Sequence, residues 1–286
     1  MDLKTQRRNK NFPYFAPLWG SLWSNPWERW GLPIFCSLLS TLCVLALWIG
    51  IAGGIPGTEK FQFPTPMEVL GVLQEDPDLW LGAMKTTLFL CILGTLISIF
   101  LGIVLTILLY LLPTLKRFLH PILVSTKSIP MYVVAPMLVF PLGQSKATGV
   151  IVVVLVTFLP VFISMGRGMQ QVDPVLYTYL EIAGASRWQR LIHLALPSSL
   201  GACLSGIELA LISGVNGAVL AESIGAGQTD GIGYIARESS HFNFHTGRLF
   251  AAALLLVLTT LVLLFMVHVV SYLGFRRLKK WQGALG

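Results

Sequence analysis

The chain has 286 residues, of which 55% are hydrophobic and only 12% charged, and its mean hydropathy is +0.74. Soluble domains carry about 25% charged residues, so a soluble fold is excluded and an integral membrane protein is implied. The net charge of +7 does not indicate nucleic acid, because the basic residues cluster between and beside the apolar runs rather than on one interleaved face.

In chain order, the sequence predicts an all-α, polytopic protein. Six apolar stretches reach the roughly 20 residues that a hydrocarbon core demands. They lie at about 32–53, 83–112, 119–142, 147–168, 198–221 and 249–273. The first is too long for a signal-peptide core and has no small-residue cleavage site after it, so it reads as an uncleaved span. Around these spans the chain divides into an N-terminal tail (1–31), the first span (32–53), an extracytoplasmic segment (54–82), a core of five spans (83–273) and a C-terminal tail (274–286).

Loop charge orients the spans. Lys4, Arg7, Arg8, Lys10 and Arg29 precede span 1, Lys116 and Arg117 follow span 2, and Arg167, Arg187 and Arg190 follow span 4. Arg276, Arg277, Lys279 and Lys280 follow span 6. With six spans all four groups fall on one side, which the positive-inside tendency makes cytoplasmic, with both termini. Acidic residues gather on the other side: Glu59, Glu68, Glu75, Asp76 and Asp78, then Glu222, Asp230 and Glu238.

The loop at 169–197, between spans 4 and 5, stands out. Asp173-Pro174 is a helix start and Gly184 an interruption. From Ala185 to Leu196 the apolar residues Trp188, Leu191, Ile192 and Ala195 recur at helical spacing, and Pro197 ends the segment as span 5 begins. A short amphipathic helix here fits either an interfacial helix on lipid headgroups or a docking helix for a cytoplasmic partner. Gly184 leans toward docking, since a missing side chain permits close backbone approach.

Polar groups within spans are costly in lipid and usually face a bundle interior or a pathway. Four residues are pathway candidates: Lys127, Pro130, Glu208 and Asn216. Glu208 has two readings, a structural salt bridge with Lys127 or a lining group. Pro130 and Pro136 are expected to bend span 3. Small residues in span 5, Gly201, Ser205, Gly214 and Gly217, permit close helix approach. They suggest an interface between copies near spans 3 and 5. Cys36, Cys43, Cys91 and Cys203 all lie in apolar runs and read as small buried hydrophobes. His241 and His245, in "HFNFH", lack the further ligands of a zinc site and read as a polar or docking surface, so no metal site is expected.

The stretch "GASRWQRLIHLALP" resembles the cytoplasmic loop signature of the membrane subunits of bacterial ABC importers, the binding-protein-dependent permeases. Gly184, Leu194 and Leu196-Pro197 fit its spacing; Thr178, Tyr179 and Leu180 stand where the signature usually opens with Glu-Ala-Ala. "FPTPMEVLGVL" (63–73), "SIPMYVVAPMLVFPLG" (128–143) and "AESIGAGQTDGIGYIA" (221–236) resemble the branch that imports nitrate, bicarbonate, taurine and alkanesulfonates. Glu208 departs from that branch, where a basic residue is usual.

The resemblance implies a type I importer transmembrane domain in a bacterial inner membrane, with a coupling helix between spans 4 and 5. Its partners would be a second permease copy, a cytoplasmic ATP-binding subunit dimer and an extracytoplasmic solute-binding protein, besides membrane lipid, with no nucleic acid. The coupling residues would be Gly184, Ala185, Ser186, Arg187, Trp188, Arg190, Leu194, Leu196 and Pro197. No catalytic residue and no bound cofactor is implied for this chain; ATP and magnesium would sit on the partner. Consistently, the sequence has no G-x-x-x-x-G-K-[ST] loop to cradle phosphates. An ATP-independent secondary transporter or channel is the alternative, and it predicts internal repeats that the sequence does not display. A membrane enzyme would need a titratable cluster. The wider resemblance spans nitrate, bicarbonate, sulfonates and vitamin precursors as cargo. Glu208 disfavours a bare anion and favours a neutral or zwitterionic organic solute.

Overall fold

The computed structural model describes residues 26–52, 63–226, 230–241 and 245–282. Every regular element among them is helical. The N-terminal tail expected over 1–31 and the extracytoplasmic segment expected over 54–82 fall partly outside these residues. The chain forms two compact units, residues 1–66 and 67–286. In the first, α1 (Pro26–Ala52) carries an apolar stretch, Leu39–Ala52. Its Trp48 indole donates to the Pro64 carbonyl at 3.0 Å.

The second unit begins with a short helix, α2 (Pro66–Glu75). The long helix α3 (Pro77–Leu111) follows, with Pro77 in its first turn and the Asp76 carboxylate accepting from Leu79 N at 3.2 Å. Helix α4 (Pro113–Ser125) ends in a 3₁₀ turn, Thr126–Ser128, before α5 (Met131–Leu142). Helix α6 (Lys146–Gln170) is capped by Ser145, whose hydroxyl accepts from Thr148 N at 3.2 Å. Helix α7 (Pro174–Ile182) is capped by Asp173, which accepts from Val175 N at 2.8 Å. Then come α8 (Arg187–Arg190), a π turn (Leu191–Ala195), α9 (Leu196–Ser223), α10 (Ile232–His241) and α11 (Thr246–Gln282).

By length and composition, α3, α6, Arg187–Ser223 and Thr246–Val269 can each cross a membrane, and the pair α4–α5 makes a fifth candidate. That pair covers the third span expected over 119–142, and the bend expected there is sharp: its two helices meet at 102°. The elbow is at Ser128-Ile129-Pro130. Pro130 adopts an extended φ/ψ of −69°/112° and starts α5, as the missing N–H and fixed φ of proline favour. Pro136 lies inside α5 without ending it, so the 102° bend falls at the Pro130 elbow.

The core is a three-helix seam of α3, α6 and α9. Small residues make it. A Cβ on Gly206 would lie 2.8 Å from Ser164 Cβ and 3.2 Å from the Pro160 carbonyl, and one on Gly217 would lie 3.3 Å from Val153 Cα. Gly206, Gly214 and Gly217 are buried against α6 and α3, whereas Gly201 and Ser205 are exposed. Two of the small residues expected between copies, Gly214 and Gly217, are therefore used within the chain. Hydroxyls tie the same helices together: Ser98 and Thr157 share a hydrogen bond of 2.5 Å, and Ser98 Oγ also approaches the Val154 carbonyl at 3.0 Å. Cys91 and Cys203 are buried as expected; Cys36 and Cys43 are exposed.

Replacing Gly206 by Leu should overpack this seam and cost about 1–3 kcal/mol or more. A lowered thermal transition in detergent would report it. Gly82→Leu is the control, since a Cβ there meets nothing within 4 Å.

Candidate functional site

The loop after α6 is built differently from the single amphipathic helix expected over Ala185–Leu196. Its free-standing element is α7. At the end of α7, Gly184 N–H bonds the Glu181 carbonyl at 3.0 Å and Ala185 N–H bonds the Leu180 carbonyl at 2.9 Å. Gly184 has φ +77°. This is the Schellman ending, with glycine in the left-handed conformation that a Cβ would strain. A Cβ on Gly184 would nevertheless touch nothing within 4 Å. The turn itself therefore accounts for the glycine, and the space beside it is open.

Beyond the turn, Ser186 and Gln189 form a capping box: Ser186 N–H donates to Gln189 Oε1 at 2.7 Å, and Gln189 N–H donates to Ser186 Oγ at 3.3 Å. The expected helix is thus α8, the π turn and the start of α9, one run flowing into the span. In the π turn Leu196 N–H reaches back to the Leu191 carbonyl. Pro197 sits in the first turn of α9 instead of separating two helices.

The coupling candidates divide into two sets. Gly184, Ser186, Arg187, Trp188 and Pro197 are exposed; Ala185, Leu194 and Leu196 are half-buried. Arg190 is buried and points inward. Its Nη1 pairs with Glu181 Oε1 at 3.1 Å and its guanidinium carbon lies 4.9 Å from the Tyr177 ring centroid. It braces α7 against α8. Arg187 donates to the carbonyl of Leu111, at the end of α3, at 3.4 Å.

What the loop exposes is apolar. Val175 is 73% exposed, Tyr179 69%, Ile182 83% and Trp188 54%. Pro174, Val175, Thr178, Tyr179 and Ile182 line a shallow groove of about 430 Å³. Sequence periodicity centred on 185–196 misses this surface. Its signal was the Asp173-Pro174 start followed by an aliphatic and aromatic run up to Gly184.

The four pathway candidates are not brought together. Lys127 is exposed in the 3₁₀ turn beside the α4–α5 elbow, and Pro130 starts α5. Glu208 and Asn216 lie on α9, where Glu208 is half-buried and Asn216 exposed. No ion pair joins Glu208 to Lys127 within the chain among the described residues. Ser205, Glu208 and Asn216 instead form a polar stripe on the side of α9 away from its buried glycines. His241 and His245 flank residues outside the described set.

One buried carboxylate escapes sequence reading. Glu222 was counted among the loop acids of the outer side, yet it ends α9 and is fully buried. Its Oε2 accepts from Thr87 Oγ1 at 3.1 Å and from Gly233 N–H at 2.7 Å, while Thr87 Oγ1 also accepts from Ile232 N–H at 3.0 Å. Glu222 and Thr87 thereby cap the N-terminus of α10. In return Arg237 of α10 donates to the Ser223 carbonyl at 2.7 Å, at the end of α9. A Cβ on Gly231 would collide with the Glu222 carboxylate. The signal was the pair of glycines in "DGIG", which clears room for a side chain more than one helical turn away.

These elements define a class: a polytopic α-helical membrane protein with a solvent-exposed apolar loop between two of its long helices. Residues 94–273 match the family model described as "Binding-protein-dependent transport system inner membrane component", and the chain belongs to that family. It is 30% identical over 273 residues to the riboflavin transport system permease protein RibX of Chloroflexus aurantiacus, covering 94% of this chain and 96% of that one. It is 28% identical over 228 residues to the formylaminopyrimidine transport permease protein ThiX of Halalkalibacterium halodurans, covering 79% and 86%. A putative aliphatic sulfonates transport permease protein of Bacillus subtilis is 24% identical over 250 residues, covering 86% and 87%. In fold, the chain is similar to one from a crystal structure of an amino acid ABC transporter with histidines. The TM-score is 0.56 at 17% identity, covering 73% of this chain and 98% of that one. The protein is a multi-pass membrane protein and a binding-protein-dependent transport permease.

Proposed function

We propose that the chain is the membrane subunit of an ATP-driven importer, coupled to its ATPase through α7 and the turn that follows. The observation that carries this reading is the exposed apolar face of Val175, Tyr179, Ile182 and Trp188. An apolar patch outside the spans of a membrane protein calls for a protein partner or a lipid surface. Arg190–Glu181 ties α7 to α8, and α8 runs through the π turn into α9, which gives a push on α7 a route into the span. The positive-inside distribution puts this loop in the cytoplasm with both termini, where ATP is available. Counting α1 and the bent pair α4–α5 gives six spans. A homodimer would bring two such chains around one pathway, with a binding protein delivering cargo from outside.

Recovery of the tagged chain from mild detergent, with mass spectrometry of its companions, tests the assignment. An ATPase subunit is expected. Recovery of the chain alone would favour an ATP-independent transporter and overturn the reading.

The Ser205–Glu208–Asn216 stripe supports a pathway along α9. A half-buried carboxylate without a basic partner repels bare anions, so the cargo is a neutral or zwitterionic organic solute of the vitamin-precursor kind. Glu208→Gln is expected to change uptake, by about tenfold for a lost charge-assisted contact, while leaving recovery of the ATPase unchanged. Unaltered uptake across riboflavin-like and pyrimidine solutes would sink the role of Glu208.

A further inference from the structure

Where α3, α4 and α6 converge near the α4–α5 elbow, they enclose a cavity of about 340 Å³, within the range of small-ligand sites. Lys116 and His120 enter it from α4, Lys127 from the elbow and Arg167 from α6, over an apolar floor that includes Leu109 and Phe162. No Asp or Glu lines it. No side-chain hydrogen bond or ion pair joins Lys116, Lys127 or Arg167 to another described residue. Basic residues from three different elements thus line one space, with no acidic partner among the described residues.

The opposite side of α4 is apolar and open, with Leu115, Phe118 and Ile122 exposed. Helix α4 therefore separates a cationic chamber from a surface suited to acyl chains. Glu208 and Asn216 do not line the chamber, so it is distinct from the stripe on α9.

We infer that this cavity binds a phosphate-bearing anion. Three basic side chains around one cavity, one of them carrying a guanidinium fork, suit the several oxygens of a phosphate better than a single carboxylate. The apolar outer face of α4 favours the headgroup of an anionic phospholipid as its source, as basic pockets between spans commonly recognise. The inference adds to the proposed function and rests on it only in placing the cavity toward the cytoplasmic leaflet.

The test is native mass spectrometry of the full-length chain purified in detergent and titrated with phosphatidylglycerol, phosphatidylcholine and inorganic phosphate. Phosphatidylglycerol should bind about tenfold more tightly than phosphatidylcholine. The double variant K116Q/R167Q should lose about tenfold or more of that affinity, a loss expected when charge-assisted hydrogen bonds are removed. K116R/R167K should retain binding, which separates lost charge from misfolding. Displacement of phosphatidylglycerol by equimolar inorganic phosphate would support the anion site and assign it to a soluble phosphate. Equal binding of the two lipids, or an unaffected double variant, would overturn the proposal. The titration contains only this chain, so its result is independent of whether an ATPase copurifies.

Discussion

Ile182→Asp should leave the protein folded in the membrane and separate it from its ATPase. Ile182 is 83% exposed at the last turn of α7, so no packing is lost within the chain, and surface changes of this kind stay within about 0.5 kcal/mol. In a docked complex the same residue would be an apolar anchor, and placing a carboxylate there would desolvate a charge against the partner. Losing such an anchor costs about 2 kcal/mol or more, roughly thirty-fold in affinity. Tyr179→Asp, one helical turn back on the same face, should act alike. Copurification of the ATPase and solute uptake should fall together, while insertion and the thermal transition hold. Gly184→Ala offers a contrast. It strains the left-handed turn by about 1–2 kcal/mol yet introduces no clash, so the complex should weaken less. Full copurification with Ile182→Asp would place the docking surface elsewhere.

The face tested by this variant was only partly legible in the sequence. Asp173-Pro174 and Gly184 bounded α7 correctly. Periodicity then drew attention to 185–196, because Trp188, Leu191, Ile192 and Ala195 share a helical stripe. The stripe is real but divided: Leu191 and Ala195 are buried with Met165 and Met169 of α6, whereas Trp188 and Ile192 are exposed. A one-dimensional pattern marks an apolar face without saying whether the chain itself covers it. Spans 2, 4, 5 and 6 were readable for the opposite reason: twenty apolar residues have few alternatives to a membrane helix. Proline marked the break in the third span, but not the 102° angle, which depends on α5 finding α6. Glu208 and Glu222 invert the usual reading of acids. The one within an apolar run has no basic partner, and the one at its edge is fully buried, because Thr87 is 135 positions away and no local pattern predicts their meeting.

Glu222 supplies the largest expected loss of stability. Glu222→Ala orphans the Gly233 amide in a site closed to water, while the Thr87 hydroxyl keeps the Ala83 carbonyl at 3.1 Å. Each buried donor left unpaired costs about 1–3 kcal/mol, and the vacated volume adds to it. A loss of about 3–5 kcal/mol is expected, lowering the thermal transition by about 10 °C for a unit of this size. Glu222→Gln is the discriminating variant. Its amide oxygen can still accept both hydrogen bonds, while its NH2 group takes the place of Oε1, which has no hydrogen-bond partner, so its transition should fall by no more than about 5 °C, clearly less than that of Glu222→Ala. Thr87→Val should fall between, since it orphans the Ile232 amide but leaves Gly233 bonded. Because Thr87 and Glu222 are hydrogen-bonded to each other while capping adjacent amides, the double variant Thr87→Val/Glu222→Ala should lose less than the sum of the single losses. If α10 is held by this carboxyl, limited proteolysis should open the 226–245 region first in Glu222→Ala. Equal transitions for Glu222→Ala and Glu222→Gln would show that α10 is held by its apolar contacts instead.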